Sequence, residues 1–286
     1  MSNPNGARLR VISYGGGVQS TALVVLAATH DPAFEAAVGG PVDAALFCNV
    51  GDDSEHPAAL EWVRDVVTPW AAERGFPVHE LDRVRRDGTT ETLMGRMVRE
   101  GSKSLPIPVR GSETGAPGKR SCTADFKIAV IGKWLKANGA SRDSRADVCI
   151  GISTDEIQRA GRQGVEPHLV RLYPLIALGL DRSACQQINV DTFGRPAPKS
   201  SCFFCPFHRP AVWAEMRRDE PDLFARSAAL EATLNERRID RGMSPVYLTR
   251  FGKPLDEAIP EAQTPLFAGD GHDIGEAGCD EGVCFV

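Results

Sequence analysis

Two stretches of this sequence carry residues whose types and spacing can do chemistry. The first is Ser13-Tyr14-Gly15-Gly16-Gly17-Val18-Gln19-Ser20. Three consecutive glycines let a backbone turn sharply and approach a ligand without side-chain obstruction. Their amides, with those of a following helical turn, would point at an anion and favour phosphate, and Ser20 adds a hydroxyl donor. No Lys-Ser/Thr pair follows the glycines and the G-x-G-x-x-G spacing is absent, so this is neither a Walker A loop nor a dinucleotide fingerprint. The second stretch is Cys202-Phe203-Phe204-Cys205-Pro206. Two thiolates at C-x-x-C spacing can hold one metal ion or cluster from a tight turn, and a following proline is common in iron–sulfur runs. With Cys122 and His208 added, the same thiols could instead close a Cys3His zinc (Zn2+) site.

Eight cysteines in 286 residues pose a choice between disulfides and metal or redox chemistry. The N-terminus has no long apolar segment after its basic residues, and the longest strongly apolar stretch, Ala22 to Ala28, is far below the ~20 residues of a membrane span. The expectation is a cytoplasmic chain with no membrane partner, whose cysteines serve metal or redox chemistry. Cys149 falls in a strand and Cys185 on a helix, so both read as small buried hydrophobes. Cys48 is ambiguous, lying near the end of a strand beside the glycine stretch. Cys279 and Cys284 lie on a Gly- and Asp-rich tail that reads as flexible. They could act as a persulfide carrier, a resolving pair or a further ligand, or belong to a tail with no such role.

The elements that must position these residues follow an alternating pattern. Arg8 to Ser13, Val42 to Asn49, Pro77 to Leu81 and Val148 to Ile152 read as short apolar strands of a parallel sheet. Helices are expected from Ser20 to Thr29, after Pro57, from a Thr123 cap to a Gly139 stop, and from an Asp181 cap to about Val190. Residues 101 to 121 read as a long mobile loop. The alternation stops near Phe193, giving way to the cysteine stretch and helices through residues 210 to 241.

Carboxylates at the end of a parallel strand face the crevice where such sheets bind ligands, which places Asn49, Asp52 and Asp53 at the rim. Asp52 and Asp53 could hold Mg2+ or ribose hydroxyls. Lys127, Arg159 and Arg162 could pair with phosphates, although a single surface arginine often makes only a salt bridge. Net charge is -5, from 33 basic and 38 acidic residues, which excludes a generally basic nucleic-acid coat. A local patch from Lys103 to Lys127, with Arg110, Lys119 and Arg120, could still take an RNA or DNA backbone or a small anionic metabolite.

The glycine stretch resembles the pyrophosphate-binding loop of the adenine nucleotide alpha-hydrolase (PP-loop ATP pyrophosphatase) superfamily, Ser-Gly-Gly-x-Asp-Ser. Gly15 stands where that loop has its first serine and Gln19 where it has its aspartate. Four further segments resemble the phosphoadenosine phosphosulfate reductase-like branch in the expected order. They are Phe47 to Asp53, Arg120-Ser121-Cys122-Thr123 with Lys127, Gly151 to Arg159 with its Glu156 and Arg159, and Tyr173-Pro174-Leu175 before Leu180-Asp181. The ordered set spans roughly residues 9 to 210.

The resemblance implies an α/β, parallel-sheet, Rossmann-like PP-loop nucleotide-binding domain over residues 8–195. A small helical, cysteine-containing C-terminal extension with a flexible tail would cover 196–286. ATP with Mg2+ would bind at Ser13, Tyr14, Gly15, Gly16, Gly17, Gln19, Ser20, Asn49, Asp52, Asp53 and Gly151. Asp52, Lys127, Arg159, Cys279 and Cys284 would serve catalysis. Cys122, Cys202 and Cys205 would hold a 4Fe-4S cluster, with Zn2+ and His208 as the alternative.

The activity implied is ATP-dependent sulfur transfer to a substrate that is a nucleic-acid base or a small molecule. A sulfur-donor protein and a homodimer partner are compatible with it. A phosphoadenosine or adenosine phosphosulfate reductase is the second reading. Against it, Cys122 stands alone where such enzymes carry a Cys-Cys pair, and their Glu-Cys-Gly-Leu-His tail is absent. A nucleotide-binding module without turnover, carrying a structural zinc, is the third.

Overall fold

The computed structural model describes residues 8–112, 115–161 and 166–261. The chain begins with β1 (Arg10–Tyr14), α1 (Val18–Ala28), α2 (Pro32–Val38) and β2 (Ala44–Asn49). Every residue of β2 is buried, as expected of a strand covered on both faces. A helical run follows as α3 (Pro57–Glu61), a π-helical turn (Trp62–Val67) and α4 (Thr68–Ala72). Pro57 occupies the first turn, where its missing N–H costs nothing. The π turn comes just before Pro69, which has no N–H to give to the Asp65 carbonyl.

Next come β3 (Val78–Asp82), α5 (Leu93–Val98) and β4 (Arg110–Gly111). A second interrupted helix is built from α6 (Ser121–Thr123), a π turn (Ala124–Ile128) and α7 (Ala129–Ala137). Thr123 is therefore not its cap: the helix starts at Ser121, and Thr123 is buried inside it. Gly139, at φ +95°, follows its end. Then come β5 (Ala146–Ile150), a 3-10 turn (Thr154–Arg159) and β6 (Leu169–Leu172). Beyond them lie α8 (Pro174–Ala177) and α9 (Arg182–Phe193), the latter capped by Asp181, whose carboxylate accepts from the Ala184 N–H at 2.7 Å.

Strand order in the main sheet is β3-β2-β1-β5-β6, and all four pairings are parallel. The order reverses at β1, which puts a crevice at the carboxyl ends of β1 and β5. One face of the sheet packs Ile12, Phe47 and Cys149 against Leu23, Phe34, Trp62 and Cys185. The other packs Val11, Leu46, Cys48 and Val148 against Ile131 and Leu135 of α7. The result is an α/β fold with helices on both sides of a parallel sheet.

The remaining elements are α10 (Pro210–Asp219), α11 (Pro221–Ile239), β7 (Val246–Tyr247) and α12 (Leu255–Ala258). They share a third core in which Phe203, Phe204, Trp213, Phe224 and Leu255 meet Val50, Leu93, Met97, Ile107, Val109 and Phe126. The stretch expected as a mobile loop thus delivers Ile107 and Val109 to this core, and its β4 pairs antiparallel with β7. The spacing Ile107-x-Val109 puts two apolar side chains on one face, which proline-rich composition obscured. Among the described residues no helix is long and apolar enough to cross a membrane.

Glu231 of α11 ties that helix to the segment running from β7 to α12. Its two carboxylate oxygens accept from the Leu248 N–H at 2.6 Å and the Leu255 N–H at 2.7 Å. Burial outweighs those donors and pushes its pKa up to about 7. The folded protein then holds a proton that the unfolded chain has released, so stability falls as pH rises from about 4.5 to 7. Glu231→Gln removes that dependence but leaves an amide N–H facing a backbone N–H. Its deficit against the native protein in urea is expected to be largest at pH 4.5 and to shrink by about 3 kcal/mol by pH 8. A deficit independent of pH would refute this.

Candidate functional site

The glycine loop leaves β1 at the centre of the sheet. Gly16 has φ +75°, and a Cβ there would stand 2.9 Å from Val63 Cγ2. The Ser20 hydroxyl staples the turn, accepting from the Gly15 N–H and donating to the Gly17 carbonyl, both at 3.2 Å. Gly17 begins α1 with no side-chain cap, so the helix's first amides are not satisfied by a side chain there. Ser13 lies in β1 opposite Leu46 and Ile150. Tyr14 is buried with its hydroxyl 3.4 Å from Thr21 Oγ1, and burial pushes its pKa up, which makes it a core residue.

Three walls surround this loop. On the β5 side Gly151 lies so close that a Cβ would stand 3.0 Å from the Ser20 nitrogen. Gln19 is buried under the turn, donating to Ser153 Oγ at 3.4 Å and accepting from Arg182 at 3.0 Å. Arg159 is buried in a 2.7 Å ion pair with Glu156 in the 3-10 turn after β5. Arg162 lies outside the described residues.

On the β2 side, Asn49 donates to Asp52 at 2.7 Å and to Glu80 at 2.8 Å, and accepts from the Gly51 N–H at 2.8 Å. Arg64 grips Asp52 through two hydrogen bonds, at 2.9 and 2.7 Å, and also holds Glu80. That guanidinium holds both carboxyls below their ordinary range. Asp53 accepts from Ser54 at 2.7 Å and from Thr92 at 2.8 Å. Both rim carboxylates are thus engaged in ordering the loop.

The third wall comes from the C-terminal part. Ser200 donates a short hydrogen bond to the Gly15 carbonyl. From there the chain runs antiparallel to the β2 exit: His56 N–H donates to Ser201 O at 3.2 Å, Glu55 bridges Cys202, and Phe203 N–H donates to Ser54 O at 3.2 Å. Cys202 and Cys205 close a tight turn through a 3.1 Å bond from the Cys205 N–H. Phe203 and Phe204 anchor it, fully buried in a T-shaped pair 5.0 Å apart. Arg226 lies 4.5 Å over the Phe203 ring and donates to the Asp53 carbonyl at 3.2 Å.

Cys122 stands in the first turn of α6, half-buried against the same core as Cys202, while Cys205 is buried. Lys127 sits on the π turn with its ammonium 4.0 Å from the buried Glu55 carboxylate. Its carbonyl is 3.7 Å from the Cys48 sulfur. Burial pushes the Cys48, Cys149 and Cys185 thiols each up to about 12, which makes them inert core groups. None of the six described cysteines is in a disulfide. Cys279 and Cys284 lie outside the described residues.

Three thiols suit an iron–sulfur centre in kind. In placement, no group of three His, Cys, Asp or Glu side chains is gathered for a metal ion among the described residues. His208 Nε2 lies 3.0 Å from the Cys202 carbonyl. With Nε2 donating there, Nδ1 is the ring nitrogen left for a metal. Among the described residues alone, Cys122, Cys202, Cys205 and His208 do not form such a group.

The residues brought together at the glycine loop are therefore Gly15, Gly16, Gly17, Gln19, Ser20, Gly151 and, unforeseen from sequence, Ser153, Arg182 and Ser200. Asn49, Asp52 and Asp53 form a separate network organised by Arg64, Glu80 and Thr92. The arrangement is a crevice at the carboxyl ends of the strands of a parallel α/β sheet, with a thiol turn attached to its edge. No protein-family model, curated protein or solved structure matches the chain.

Proposed function

We propose that the chain is a PP-loop-type enzyme that adenylates a substrate with ATP and then passes sulfur to it. One observation carries the reading. Ser200 ties the segment bearing Cys202 to the Gly15 carbonyl, so thiols adjoin an anion-accepting loop with an uncapped helix N-terminus.

In this reaction a substrate oxygen attacks the α-phosphorus of ATP. The bond to the bridging oxygen breaks, and pyrophosphate leaves against the amides of residues 15 to 20. Bound Mg2+ would neutralise pyrophosphate charge, using phosphate oxygens and water, because Asp52 and Asp53 already have protein partners. A persulfide on Cys202, loaded by a sulfur-donor protein, then attacks the carbon bearing the adenylate, and AMP leaves. The Cys205 thiolate attacks Cys202 sulfur, releasing the substrate thiolate and leaving a Cys202–Cys205 disulfide for a dithiol to reduce. No step needs a preassembled cluster.

ATP, Mg2+, a persulfide donor and a dithiol, added to candidate nucleic-acid bases and small molecules, are expected to yield AMP and pyrophosphate. Ser20→Ala, which removes the hydroxyl holding the Gly15 amide, should weaken ATP binding about tenfold, equivalent to one hydrogen bond. Purified protein that binds ATP but releases no AMP with any such substrate would instead be a binding module. The engagement of Asp52, Asp53 and Gln19 by protein partners favours that second reading.

A further inference from the structure

Leu234, Arg237, Arg238 and Arg241 recur at i, i+3, i+4 and i+7, the spacing of one helix face, along α11 and the turn beyond it. They line a pocket of about 450 Å³ together with Met97 of α5, Lys103, Leu105 and Met243. Its surface is therefore of two kinds: apolar from two methionines and two leucines, and cationic from one lysine and three arginines. No Asp or Glu lines it.

The three arginines are held by backbone carbonyls. Arg237 donates to the Met97 and Val98 carbonyls at 2.7 and 2.5 Å, Arg238 to Ser244 at 2.8 Å, and Arg241 to Ser102 at 3.3 Å. A carbonyl fixes the direction of a guanidinium but, being neutral, does not cancel its charge. Arg238 gives only Nε and Arg241 only Nη1 to these bonds, which leaves donors on both for a carboxylate. The helix end accounts for Arg237 and Arg238, because cations are favoured in a last turn. It does not account for Lys103 and Arg241, which lie outside the helix, or for Met243, an apolar side chain left 48% exposed.

We propose that this pocket docks an acidic segment of a partner protein. One apolar side chain of the segment sits among the methionines and leucines, and its flanking carboxylates meet the four cations. Methionine adapts to apolar side chains of varied shape. The arginines are already positioned, so binding orders little that was mobile. A nucleic-acid strand fits less well, because no aromatic ring lines the pocket for a base to stack on and the chain's net charge is -5. The docking is independent of the reaction proposed above.

Fluorescence anisotropy with the full-length protein tests it, using a fluorescein-labelled octapeptide, Glu-Asp-Glu-Leu-Phe-Glu-Asp-Glu. Wild type is expected to bind this peptide, and Lys103→Glu/Arg241→Glu to bind it about tenfold more weakly. Met243→Asp, which alters the apolar part alone, is expected to weaken it by a similar factor. All three side chains are exposed, so thermal melts are expected to match wild type. A peptide with Gly-Gly in place of Leu-Phe should bind about fivefold more weakly. No binding at about 1 mM peptide, or equal binding of the Gly-Gly peptide, would overturn the proposal. So would a DNA oligonucleotide that binds more tightly than the peptide and is lost in Lys103→Glu/Arg241→Glu, which would assign the pocket to nucleic acid. Peptide binding that appears only when Asp270, Asp273, Glu276, Asp280 and Glu281 are changed to their amides would also overturn it, giving the pocket to the chain's own acidic stretch.

Discussion

Gly51→Ala is expected to destabilise the protein by about 3 kcal/mol or more, lowering its melting temperature by about 10 °C. Gly51 has φ +120°, a conformation closed to L side chains. An added Cβ would also lie 2.5 Å from both Asp53 Oδ1 and Thr92 Cβ. Its carbonyl accepts from the Ser54 and Glu55 N–H groups, both at 2.9 Å, so any shift passes to the strand-like contact between Glu55 and Cys202. Gly88→Ala is the control. There φ is +85° but nothing stands within 4 Å of the new Cβ. That variant should lose only the backbone term, about 1 kcal/mol. Thermal melts of the two variants side by side separate packing from backbone strain, and equal losses would refute the packing argument.

Phe203→Ala should cost about 3–5 kcal/mol, the range for emptying a buried aromatic site. Its ring is fully buried between Phe204 and the Arg226 guanidinium, so truncation removes both contacts. The cysteine turn hangs on this ring. Cys205, buried in the native protein, should therefore react with a thiol reagent at least tenfold faster in the variant. Phe203→Leu keeps most of the volume and should cost about 1–2 kcal/mol with a small change in thiol reactivity. Urea midpoints and thiol kinetics read the two effects separately. Unchanged reactivity in Phe203→Ala would show that the turn is held by its backbone bonds alone.

Much of the sheet was legible because its signals are local. Apolar runs named β1, β2, β3 and β5 to within two residues at most ends, and the glycines marked the turn after β1. β6 escaped notice because Leu169–Leu172 is four residues long with an arginine inside and is mostly half-buried. Asp52 and Asp53 were correctly placed after β2, but their partners Arg64 and Thr92 lie 12 and 39 residues away, which no local pattern encodes. Ser200 was invisible for the same reason, its partner Gly15 being 185 residues distant. The tight turn at Cys202 and Cys205 was legible from C-x-x-C spacing, whereas its antiparallel seat against Ser54 and His56 joins segments about 150 residues apart.

The shared third core has a consequence for biosynthesis. Val50, Leu93, Met97, Ile107, Val109 and Phe126 leave the ribosome well before Phe203, Trp213 and Leu255, which supply the other side of that core. At ~5–20 residues per second, the interval between Phe126 and Leu255 is on the order of ten seconds. During that time the nascent chain carries an apolar surface beside its half-built crevice, exposed to aggregation until the rest of the core arrives. That core can close over the thiol turn only once translation has passed α12.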